Sequence, residues 1–138
     1  MTQSSNSTRN VKVPARPAKV PHEADVLSFI HRKPRDIGGI CYWNVEPSNH
    51  FGRDCDRGHE LAREYLGFIG KYPTNAATTL LGCIVNDMVR ARKEERLPSR
   101  NHLTGVEIGF LSEVNKYAMS VAKVVADTMG QGEKGGAA

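Results

Sequence analysis

The chain has 138 residues, of which 39% are AVILMFWYC types and 25% are charged. That is enough apolar material for one compact domain, and too short a chain for two independent cores. Lys and Arg outnumber Asp and Glu by 19 to 15, a net charge of +4. Arg9, Lys12, Arg16 and Lys19 carry that whole excess, because residues 1–21 contain no acid and the remaining 15 bases and 15 acids cancel. A neutral body with a basic leader weakens the nucleic-acid reading that the net charge first suggests.

Residues 1–20 are rich in Ser, Asn and Thr and then in Val, Pro and Ala. Pro14 and Pro17 remove backbone donors and favour extended geometry, so this segment is expected to be a flexible tail. It lacks the 7–15-residue apolar stretch of a secretory leader, and no window has the roughly 18 consecutive apolar residues of a membrane span. Three cysteines, Cys41, Cys55 and Cys83, are too few for a disulfide framework and suggest reduced thiols in a cytoplasm.

A single domain is expected over 21–130: mainly α, with four helices, one short extended or hairpin segment near 37–46, and flexible ends at 1–20 and 131–138. The first helix is expected from Pro21 to His31, opened by proline with Glu23 and Asp25 in its first turn, and stopped by Pro34. Gly38-Gly39 then leads into Ile40–Val45, dense in β-favouring types. This piece pairs with residues near Ile37 or lies extended on the helices.

The spacing of Leu61, Ala62, Tyr65, Leu66, Phe68 and Ile69 predicts a second helix over Asp56–Lys71, capped by Asp54 or Asp56 and ended by Pro73. A third helix follows Thr74-Asn75, burying Leu80, Leu81, Ile84, Val85, Met88 and Val89 before turning charged. Thr104-Gly105-Val106-Glu107 is a capping-box pattern and opens a long fourth helix. Val106, Phe110, Val114, Ala118, Val121, Val125 and Met129 form its apolar row, with Gly130 as the expected stop. A second row of Ile108, Leu111, Tyr117 and Val124 makes the face wider than one seam. A helix of this length either crosses the whole domain or leaves a face for a partner, and a homodimer through 105–129 is the expectation.

Four constellations bear on chemistry. Cys41, His50, Cys55 and His59 are zinc-donor types, yet C-x8-H-x4-C-x3-H lacks the short Cys pair of a structural site. No cofactor is therefore expected, with structural zinc the minor alternative. Cys55 with His50 or His59 could serve as a nucleophile near a helix start, but no third orienting residue follows from spacing. Glu60 and Glu64 lie one turn apart beside Arg57 and Arg63, as surface ion pairs do. Gly67, Gly70 and mid-helix Gly82 lower helix propensity, and close approach of the second and third helices explains them best.

Basic runs at Arg32, Lys33 and Arg35 and at Arg90, Arg92 and Lys93 support the alternative of a nucleic-acid-associated regulator. With no complete catalytic set, the favoured reading is a non-catalytic adaptor, inhibitor or regulator acting on a protein. Tyr42, Trp43, Phe51, Arg53 and Arg57 are the candidate contacts, being residue types that dominate binding energy when exposed. In general style the chain resembles small accessory proteins of bacteria, phages and other mobile elements.

Overall fold

The computed structural model describes residues 19–48, 50–94 and 103–134. The expected tail at 1–18, the charged stretch at 95–102 and the end at 135–138 lie outside the described residues. The elements are α1 (Glu23–Val26), β1 (His31–Arg32), β2 (Ile40–Cys41), α2 (Phe51–Lys71), α3 (Ala77–Glu94) and α4 (Gly105–Lys134). The protein is mainly helical, with a two-stranded antiparallel sheet.

The first helix corrects the expectation for Pro21–His31. It lasts one turn, opened by His22, whose Nδ1 accepts from the Ala24 amide at 3.0 Å. Leu27 then turns extended, at φ −85° and ψ 121°. Leu27, Phe29 and Ile30 would share a helix face, but the extended chain buries all three in the core. Leu27 N donates to Glu23 O and Ile30 N to Leu27 O, while Phe29 O accepts from Asn44 N at 2.9 Å across the hairpin, where His31 pairs with Cys41 and Arg32 with Ile40. The pairing partner of β2 is therefore His31–Arg32, with Ile37 in the connecting turn. Gly38 and Gly39, at φ 70° and 86°, supply the left-handed backbone that this turn requires.

α2 starts at Phe51, ahead of its expected beginning at Asp56. Asp54 is consequently inside its first turn, buried, and does not cap it. Its Oδ1 accepts from the Ser48 amide at 3.0 Å and the Ser48 hydroxyl at 2.7 Å, fastening the incoming chain. Tyr72 closes the helix before Pro73, its amide donating to Phe68 O. Thr74 Oγ1 accepts from Ala77 N at the start of α3, as the sequence indicated. α3 buries Leu80, Ile84 and Met88 at four-residue spacing and leaves Val89 exposed.

The capping box at α4 forms as expected: Glu107 N donates to Thr104 Oγ1 and Thr104 N donates to Glu107 Oε2. Gly130 does not stop α4. Among the described glycines only Gly38 and Gly39 take positive φ, so no left-handed cap forms at Gly130, and the helix continues through 131–134.

α2 and α4 cross at bare backbone. A Cβ on Gly58 would lie 2.1 Å from Val106 O, and one on Gly109 2.1 Å from Cys55 O. Gly105 is similarly tight against Phe51 and Asp54. Gly67, Gly70 and Gly82 instead face open space, with no atom within 4 Å of a Cβ added to them. The close approach expected between α2 and α3 is corrected accordingly: it lies between α2 and α4, at other glycines. Around the crossing, Phe110 is 0% exposed and meets Phe29, Trp43 and Tyr65 at ring-centroid distances of 5.7, 5.2 and 5.8 Å. Edge-on packing of this kind adds to the apolar burial.

Candidate protein-interaction surface

The contacts between α2 and α4 advance in the same direction along both helices: Asp54 with Gly105, Cys55 with Gly109, then His59 and Arg63 with Glu113. Glu113 is the last of these ties. Its carboxylate takes His59 Nδ1 at 3.1 Å on one oxygen and Arg63 Nε at 3.3 Å on the other. Partial burial pushes this carboxyl up, but the Arg63 hydrogen bond and charge, the His59 hydrogen bond and the charge of Lys116 outweigh it and hold it below the ordinary range. A depressed folded pKa contributes stability that is fully present above the unfolded glutamate's value of about 4.3. That contribution fades as the pH falls through the lower folded value. Glu113→Gln is therefore expected to lower the urea midpoint at neutral pH and to match wild type well below pH 4; an equal difference at both ends would remove this role.

Beyond Val114 the helix leaves the domain. Every residue from 115 to 132 is exposed. Tyr117, Met119, Val121, Val124, Val125 and Met129 stand among them, with Val124 at 64% and Met129 at 71% exposure. The face that buries Val106 and Phe110 thus continues into solvent as Tyr117, Val121 and Val124. Lys116, Ser120, Lys123 and Asp127 recur at fours and threes and form a polar stripe. At about 100° per residue, that stripe with Gln131 covers about 80°, and the remaining ~240° is mostly apolar and small side chains, interrupted by Asn115 and Thr128. A solvated helix carries such a face only as a narrow inward stripe, so the distal half of α4 is an uncovered apolar surface.

The candidate contacts named from sequence divide. Trp43 is 6% exposed and packed on Phe29 and Phe110, so it is a core residue. Tyr42 is half-buried, with its amide donating to Asp87 Oδ2 at 2.8 Å. Phe51, Arg53 and Arg57 are exposed along the start of α2, and Arg57 reaches Glu46 O. They lie on the domain body, with Phe51 beside Gly105 at the start of α4.

Cys41, His50, Cys55 and His59 do not come together. Cys41 is in β2, His50 precedes α2, and His59 is engaged with Glu113. Among the described residues no three His, Cys, Asp or Glu side chains group to hold a metal ion. All three cysteines are free thiols. Glu64 accepts from both Ser28 N and Ser28 Oγ and pins the extended segment after α1, while Arg63 turns to Glu113. The ion pairs expected of Glu64 and Arg63 with their helix neighbours are replaced by these tertiary ties.

Of the basic residues, Arg32 is paired with both oxygens of Asp25, which holds the carboxyl of Asp25 low. Lys33 is half-buried, Arg35 and Arg90 are exposed, and the side chains of Arg92 and Lys93 lie outside the described residues. Among the described residues no helix is long and apolar enough to cross a membrane.

No family model matches the chain, and no curated protein or solved structure shows significant similarity to it. Glu113, Gly58 and Gly109 were absent from the sequence-derived candidates. The four-residue spacing of Gly105 and Gly109 and of His59 and Arg63 was visible, but nothing in the sequence placed the glycines against Asp54 and Cys55, or Glu113 against His59 and Arg63.

Proposed function

We propose that this protein is a non-catalytic binding module, an adaptor, inhibitor or regulator, that acts through protein contact along α4 beyond Val114. The observation that carries the reading is the continuation of the buried α4 face into an exposed apolar surface over 115–132. Holding so much apolar surface in water is unfavourable by about 25 cal/mol per Å², and a partner protein removes that cost. A homodimer through 115–129 is the simplest such contact and belongs to this reading, because the 105–114 part of the expected 105–129 interface is packed inside the domain against α2. Three free thiols support a cytoplasmic setting.

The test is a double substitution on the exposed face, Val121→Asp with Val125→Asp. Both residues project from the domain, so the circular dichroism and thermal midpoint of the body should match wild type. Sedimentation velocity should show wild type associated and the variant as a 15.2 kDa monomer. A variant that associates as wild type does would remove α4 as the binding surface.

A further inference from the structure

The bare arc of α4 continues a face that the domain itself covers. Val106, Glu107 and Phe110 are buried, and Leu111 and Val114 pack against the core. Five turns of helix take about 18 residues, so Val106, Glu107 and Leu111 point the same way as the exposed Val124, Val125 and Met129. We infer that the two copies of the dimer proposed above lie antiparallel along residues 115–132, with their domain bodies at opposite ends. This inference rests on the self-association reading and deepens it, and it holds for each pair of adjoining α4 helices however many copies assemble.

A parallel pair is excluded by volume. Packed helices lie ~8–10 Å apart, so parallel helices meeting over 115–132 would hold their 105–114 segments at nearly that separation. A crossing of ~20° widens the gap by only about 5 Å over those ten residues. In each copy that space is already filled by the domain. Phe29, Trp43 and Tyr65 lie around Phe110 at ring-centroid distances of 5.7, 5.2 and 5.8 Å, and Leu111 and Val114 pack on the same core. Two such layers do not fit where one layer of side chains must fit. In an antiparallel pair each body stands beyond the tip of the partner's helix, and the clash does not arise.

The bodies also set the register. A partner helix advances along the bare face until its own end meets the body near Val114. Full use of the exposed stretch puts position 115 level with position 132 of the partner subunit, and Ala118 level with Met129 of the partner subunit. A second copy fits this face in length and in charge. Its bare stretch is as long as the surface it covers, about 27 Å. Lys116, Lys123 and Asp127 all lie on the opposite stripe, and the polar members of the arc, Asn115 and Thr128, are uncharged, so self-contact opposes no like charges.

Disulfide linkage of the full chain under mild air oxidation tests the arrangement. Ala118→Cys and Met129→Cys are compared singly and together in one chain, with wild type giving the background of Cys41, Cys55 and Cys83. Both positions are exposed, so circular dichroism of all variants should match wild type. Along one helix the two positions stand about 16 Å apart, beyond the ~4.4–6.8 Å between the Cα atoms of a disulfide. A bond in the double variant therefore joins two chains. The double variant is expected to run mostly as a linked pair of twice 15.2 kDa, and each single variant at background. Single variants that link to themselves as fully as the double variant would overturn the antiparallel arrangement and leave self-association intact. A double variant at background would also overturn it, and light scattering of the same sample separates the causes. An associated mass then leaves the self-contact of α4 standing, whereas a monomeric mass removes both.

Discussion

Gly109→Ala is expected, with Gly58→Ala, to be among the most damaging single-methyl changes at the described residues. The added Cβ would meet the Cys55 carbonyl oxygen at 2.1 Å, with Cys55 C and Cα at 2.9 and 3.0 Å. All three are backbone atoms, so no side-chain rotation relieves the overlap. α2 and α4 must separate, which also opens the packing of Phe110 on Tyr65 and parts Glu113 from His59 and Arg63. Overpacking of this kind costs at least about 3 kcal/mol, at or above the upper end of its usual range. Against a typical domain stability of ~5–15 kcal/mol, that removes a large share. Gly82→Ala is the matched control: Gly82 is an exposed helical glycine facing open space, and its substitution should stabilise by about 1 kcal/mol. Urea denaturation of the two variants beside wild type should move the midpoint in opposite directions. Equal midpoints would mean that the α2/α4 crossing is not closed at glycine.

Phe110→Ala should have a comparable effect by the opposite route. Phe110 is the ring shared by three of the aromatic contacts in the core, touching Phe29 from the α1–β1 link, Trp43 after β2 and Tyr65 from α2. Its removal leaves a cavity lined by rings from separate segments, which cannot collapse together. A cost of ~3–5 kcal/mol is expected. Phe110→Leu, which retains most of the volume, should recover more than half of that loss, again read from the urea midpoint. If the alanine variant lost under about 1 kcal/mol, far below the usual cost of such a truncation, the aromatic cluster would not be the centre of the core.

The helices were legible in the sequence because their signals are local. The Thr104–Glu107 box, the Leu80-Ile84-Met88 row and Pro73 act within a turn or two of themselves, and each behaves as read. The failure at 27–31 has a tertiary cause. Leu27, Phe29 and Ile30 suit a helix face, but the extended path buries all three and lets Phe29, His31 and Arg32 pair with 40–44. The glycines show the same limit. Most of them sit on helices with similar local context, and only their distance from a second backbone separates Gly58 and Gly109 from Gly67 and Gly82.

The surface reading was half visible for the same reason. Types and spacing marked α4 as broadly apolar, and could not show where α2 stops covering it. Trp43, placed among contacts by its residue type, is core because Phe29 and Phe110 close over it. Tyr117, Val121 and Val124, counted with the buried face by their period, are exposed because the helix outruns its domain. Periodicity identifies a face and says nothing about what lies against it.

That uncovered face is the centre of the account, and amide hydrogen exchange along α4 tests it most directly. On an isolated projecting helix the amides of 115–132 would exchange fast, whereas in an assembly they are shielded. Exchange followed from low to high micromolar protein should show protection rising steeply across 115–132, while the amides around Phe110 stay equally slow throughout. Fast exchange across 115–132 at every concentration would contradict the account.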